Sequence, residues 1–92
     1  MLFAFQATIS GRVQMVMYRD FATRKASKFG VVGEAENMPD GTVRIYAEGE
    51  KEKLDQFIVH LRKGSLLARV DDVSVQWVEP LGTFKSFSIK HT

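Results

Sequence analysis

The chain has 92 residues, of which 45% are hydrophobic, and a formal net charge of +2 from 13 basic and 11 acidic side chains. That length makes one domain, 1-92, with a small core, and the absence of cysteine excludes disulfides, thiolate metal sites and a cysteine nucleophile. Charges are mixed along the chain, without the dense basic stripe of a nucleic-acid binder, and no apolar run approaches the ~20 residues of a membrane span.

Phe3, Phe5, Ala7 and Ile9 alternate with Ala4, Gln6, Thr8 and Ser10, which predicts a strand with one apolar face that ends at Gly11. Residues 11–17 are apolar but lack helical period. From about Tyr18 to Phe29, Ala22, Ala26 and Phe29 fall on one helical face with Phe21 alongside, while Arg24, Lys25 and Lys28 point outward. Gly30 supplies the stop. Val31 to Asn37 reads as a second strand, weakened by Gly33. Met38-Pro39-Asp40-Gly41 is a turn, and Thr42 to Glu48 returns as a third strand with Val43, Ile45 and Ala47 on one face.

After Gly49, the spacing of Leu54, Phe57, Ile58 and Leu61 predicts a second helix over about Glu50 to Lys63, stopped by Gly64. Glu50 and Glu52 stand near its N-terminal end, and Arg62 and Lys63 near its C-terminal end, as the helix dipole favours. Val70 to Val78 reads as a fourth strand, with Val73, Val75 and Trp77 on one face. Pro80, Leu81 and Gly82 break the chain before a last strand, Phe84 to Lys90. The order is that of an α+β, ferredoxin-like βαββαβ sandwich: an antiparallel sheet, two helices on one face, and an extra C-terminal strand.

Fold alone does not give activity. The segment from Gly11 to Arg19 leads from a strand into a helix N-terminus, where unpaired N–H groups and the helix dipole bind phosphate without a metal. Arg19 can add a planar fork to two phosphate oxygens. The spacing is not that of a Walker loop. Read by themselves, Arg19 is a solvated helix residue and Asn37 a strand-end residue capping the following turn. His60 reads as a helix-surface residue and His91 as part of a frayed end; the two have no metal-site spacing.

Gly11-x-Val13-Gln14-x-Val16-x-Tyr18-Arg19 resembles the acylphosphatase signature G-x-V-Q-G-V-x-[FY]-R. The similarity continues through Ala26, Gly30-x-x-Gly33-x-x-x-Asn37, Asp40-Gly41-x-Val43, Gly49, Phe57, Gly64, Ala68-x-Val70 and Phe87-x-Ile89. It implies an enzyme that hydrolyses the carboxyl–phosphate bond of small acyl phosphates to carboxylate and inorganic phosphate, with neither metal nor cofactor. It also implies that Arg19 holds the phosphate, helped by a backbone cradle of Gln14, Met15, Val16, Met17 and Tyr18, and that Asn37 positions the attacking water. A cytoplasmic monomer with no nucleic-acid or membrane partner is expected.

Three positions depart from the family pattern. Met15 stands where the family carries a second glycine, Glu34 where an aromatic residue is frequent, and Ser65 where proline follows Gly64. A positive φ at Met15 would add ~1–2 kcal/mol of strain, and a loop shifted to avoid it would misaim several N–H donors. That defines the alternative: a catalytically impaired binding domain of the same fold. Glu34 would oppose phosphate binding if its side chain faced the site.

Overall fold

A computed structural model describes residues 1–91. Its elements are β1 (Phe3–Arg12), α1 (Tyr18–Phe29), β2 (Val32–Asn37), β3 (Val43–Gly49), α2 (Lys51–Lys63), β4 (Arg69–Val78) and β5 (Phe87–Lys90). The strands form one sheet in the order β4-β1-β3-β2-β5.

Alternation sorts the sheet into two faces. Phe5, Ala7 and Ile9 of β1, Ala35 of β2, and Val43, Ile45 and Ala47 of β3 are buried on the helix side with Phe21, Ala22, Ala26, Leu54, Phe57 and Leu61. Gln6, Glu34, Arg44, Tyr46 and Glu48 take the opposite, outer face. Phe57 lies at the middle of the core, with ring centroids 6.2 Å from Phe5 and 5.7 Å from Phe87.

Both helices form where their apolar repeats predict, and α1 has the expected bounds. The α2 helix begins one residue later than expected, with Glu50 as its N-cap. In β2, Gly33 has φ +144, and a Cβ there would lie 1.9 Å from the Tyr46 carbonyl oxygen. This strand glycine is required by close approach of β3 and does not weaken the pairing.

The sheet is mixed, a correction to the all-antiparallel expectation: β5 runs parallel to β2. β4 and β5 lie on opposite edges, so residues 79–86 must cross the sheet to connect them. They cross the outer face, where the Leu81 N–H donates to the Tyr46 hydroxyl and the Phe84 ring lies 5.3 Å from that of Tyr46. This crossing consumes Phe84 to Ser86, so β5 is shorter than its apolar pattern suggested. Trp77, expected on the apolar face, is 42% exposed because β4 is an edge strand. Its ring packs edge-on against Phe5 and under Lys51 Nζ, 4.6 Å away.

Candidate active site

At Gly11, β1 leaves its regular register with β4 through a bulge. The glycine sits at φ +122, and a Cβ would lie 2.2 Å from the Arg69 carbonyl oxygen. Val13 is buried and fixes the start of the loop. Met15 at φ +61 and Met17 at φ +63 then both take the left-handed conformation. This is the geometry in which successive N–H groups converge on an anion.

Met17 is the N-cap of α1 and makes no side-chain capping bond. The first helical hydrogen bond runs from the Phe21 N–H to the Met17 carbonyl, 3.0 Å. Among the described residues, none of the N–H groups from Gln14 to Asp20 donates to a protein acceptor. Val13, Met15, Met17, Tyr18, Arg19 and Asp20 line a depression of about 360 Å³ at this end of the helix. Asp20 was not expected there; it carries a negative charge at the rim of a site rich in N–H donors.

The positive φ at Met15 is thus present, and the side chain is 99% exposed. It therefore lies in solvent. Met17 shares the strain without any glycine to signal it in the sequence.

Two of the loop residues act through their side chains. The Gln14 amide nitrogen donates to the Met38 and Thr42 carbonyl oxygens, each at 2.8 Å. It therefore ties the loop to the β2–β3 turn, beside Asn37. The Tyr18 ring is buried, and its hydroxyl donates to the Leu61 carbonyl in the last turn of α2, 2.7 Å away. Burial pushes this hydroxyl far above the ordinary tyrosine range. Tyr18 anchors the helix while leaving its backbone at the site.

Asn37 ends β2, opposite Val43. Its Oδ1 is buried and has no hydrogen-bond partner among the described residues. That differs from a turn cap, because the turn is closed without it. There, Asp40 Oδ1 accepts from the Thr42 N–H (3.0 Å) and hydroxyl (2.7 Å), and the Met38 N–H donates to the Thr42 carbonyl (2.8 Å). Asn37 does not border the depression that Arg19 borders; Gln14 is what links the two regions.

Glu34 lies on the outer face and lines a separate cavity with Gln6, Arg44, Tyr46 and Phe84. Its side chain faces the side of the sheet opposite to that of Asn37, because the two are three positions apart on one strand. His60 packs beside the Phe29 ring, 5.3 Å between centroids. Its imidazole is held below the ordinary histidine value by loss of water and by Lys25, Lys28 and Lys63. Among the described residues, no group of three His, Asp or Glu side chains could hold a metal ion.

The comparisons agree with one another. The family model for acylphosphatase matches residues 5–89. An acylphosphatase of Thermus thermophilus is 52% identical over 83 residues, covering 90% of this chain and 93% of that protein. An acylphosphatase of Methylococcus capsulatus is 42% identical, covering 88% of each. The crystal structure of acylphosphatase from Bacillus subtilis superposes with a TM-score of 0.93 at 35% identity, covering 99% of this chain and 100% of that one. Nothing in these matches favours a binding-only domain.

Proposed function

The chain belongs to the acylphosphatase family and has its hydrolase activity, and on that premise we propose that Arg19 anchors the phosphate of an acyl phosphate while Asn37 orients the attacking water. The observation that carries this reading is the run of N–H groups from Gln14 to Asp20, without acceptors among the described residues, at the N-terminus of the helix that bears Arg19.

An acyl phosphate already has a good leaving group. The reaction needs an aligned water and stabilisation of charge on the phosphoryl oxygens, and little general acid help. Backbone N–H groups and the Arg19 guanidinium supply the second through charge-assisted hydrogen bonds. The Asn37 amide supplies the first without ionising, since its oxygen accepts and its nitrogen donates. A buried Oδ1 lacking a protein partner is a costly group to keep, which supports a role in holding water. The products are the carboxylate and inorganic phosphate.

The same reading makes the protein a cytoplasmic monomer acting on small molecules, with neither nucleic acid nor membrane as partner. On the outer face, where a nucleic-acid binder would expose aromatic rings, Tyr46 packs against the tilted Phe84 ring and is bonded to Glu48. No helix among the described residues is long and apolar enough to cross a membrane.

Hydrolysis of benzoyl phosphate in EDTA tests the assignment. Arg19→Ala and Asn37→Ala should each lower kcat by about 10²–10³, with urea midpoints close to wild type. Full activity in either variant would remove that residue from the mechanism.

A further inference from the structure

A second cavity adjoins the first. It measures about 350 Å³ and is lined by Val16, Met17, Arg24, Ser65, Leu66 and Leu67. That is within the ~300–1,000 Å³ of small-ligand sites. Met17 lines both cavities, so they share a wall.

The lining is unusual for a surface. Leu66 is fully exposed, Leu67 and Met17 each keep 63% of their area in water, and all three lie beside the partly buried Val16. Adjacent apolar side chains on the rim of a cavity are held there against the hydrophobic effect, which favours whatever covers them. The backbone explains how they are presented. Gly64, at φ +76, ends α2, and the Ala68 N–H donates to the Ser65 carbonyl at 3.2 Å. Leu66 and Leu67 therefore occupy the tip of a tight turn facing the loop. The Ser65 hydroxyl oxygen is buried without a partner among the described residues.

We propose that this second cavity is the acyl subsite, which selects acyl phosphates whose acyl group is an apolar chain or ring. The inference rests on Arg19 and the loop holding the phosphate. The substrate then carries its acyl group one bridging oxygen away from the phosphorus, so the group must leave the first depression over a neighbouring surface. Met17 forms the boundary, with Val16, Leu66 and Leu67 beyond it. An acetyl group has a single methyl to offer the leucines; a longer chain has more apolar area to cover them.

The test compares kcat/KM for acetyl, butyryl, octanoyl and succinyl phosphates with the full chain, in wild type and Leu66→Ser/Leu67→Ser. The octanoyl-to-acetyl ratio should be roughly tenfold or more in wild type and should collapse toward one in the double variant, through KM. Val59→Ser, which removes a comparably exposed apolar residue bordering neither cavity, should keep the wild-type ratio. A flat chain-length series, or a ratio unchanged by the double substitution, overturns the proposal. So does a preference for succinyl over butyryl phosphate that disappears in Arg24→Gln, which would assign the cavity to an anionic acyl group.

Calorimetry separates this inference from the catalytic reading. Octylphosphonate should bind more tightly than methylphosphonate, with the difference lost in the double variant whether or not turnover occurs. Equal affinities overturn the subsite. Absence of all acyl-phosphate hydrolysis, with that difference intact, would instead overturn the catalytic reading.

Discussion

Two backbone segments of this molecule gather N–H groups in left-handed turns, and they are completed differently. In the crossing segment 79–86, the Leu81 and Gly82 N–H groups donate to Glu48 Oε2 at 2.8 and 2.9 Å, and the Tyr46 hydroxyl joins them at 2.5 Å. Gly82 takes φ +74 there. In the loop before α1, Met15 and Met17 take nearly the same φ, yet the N–H groups from Gln14 to Asp20 have no acceptor among the described residues. The first turn spends its donors on the chain's own carboxylate and fastens the C-terminal segment across the sheet. The second keeps its donors available beside Arg19. One local geometry thus serves stability where the fold supplies the anion, and chemistry where the substrate supplies it.

Glu48 gives the largest test of this contrast. It is buried, and its carboxylate receives three donors. Glu48→Ala strands all of them, and hydrogen bonds to charged groups contribute about 1.5–3 kcal/mol each. Allowing for water entering the space, we expect a loss of about 3 kcal/mol in urea unfolding, with kcat on benzoyl phosphate little changed. Glu48→Gln, which keeps an acceptor, should lose less. A fall in kcat as large as the fall in stability would break the division between the two turns.

Met15→Gly tests the other turn and has a smaller effect. Holding a non-glycine residue at φ +61 costs roughly 1–2 kcal/mol. Glycine removes that strain but adds conformational freedom to the unfolded chain, about 0.5–1 kcal/mol in the opposite sense. The net change in urea unfolding should be a gain of about 1 kcal/mol or less. Because the methionine side chain lies in solvent, the donors are aimed by the backbone without its help. We expect kcat/KM to stay within about threefold of wild type, under ~0.7 kcal/mol. A gain of tenfold or more would mean that the methionine disables the loop, and the two turns would differ in competence as well as in use.

What the sequence made legible follows from the range of each signal. The apolar repeat and Gly30 place α1 from Tyr18 to Phe29, and alternation assigns Val43, Ile45 and Ala47 to the core, because both are local periodicities. The Gly11-to-Arg19 stretch is legible as a loop running into a helix, and as a family signature. Contacts made across the chain are not legible in this way. Gln14 meets Met38 and Thr42 from 24 and 28 positions away. Glu48 reads as the polar end of a strand until the segment 33 residues downstream closes over it. The parallel pairing of β5 depends on that same crossing. The orientation of Glu34 was recoverable in principle, since strand parity opposes it to Asn37; what its pattern lacked was the partner face. Leu66 and Leu67 carry no periodicity at all, so only the turn around Ser65 reveals the surface they build.

Asp40 repeats the carboxylate-and-N–H arrangement in full contact with water, and the comparison predicts a correspondingly small effect. Its Oδ1 receives the Thr42 N–H and hydroxyl, and these two bonds, the hydroxyl first, hold the carboxyl below the ordinary aspartate value. A carboxyl whose folded value is depressed adds stability that is complete above the unfolded value, about 3.9. That stability is lost as pH falls through the folded value. The turn should therefore be unaffected from neutral pH to about pH 5 and loosen only below about pH 4, visible as a shift of the Thr42 amide resonance. Asp40→Asn should remove the acid step in that resonance while keeping the fold. The Thr42 carbonyl also receives the Gln14 side chain, so the loop is tied to this turn through a bond that does not titrate. Hydrolysis of benzoyl phosphate above pH 5 should accordingly be the same in Asp40→Asn and wild type. If activity followed the Thr42 amide resonance, the exposed carboxylate would be setting the loop's position, and water would not be reducing its influence as the contrast with buried Glu48 requires.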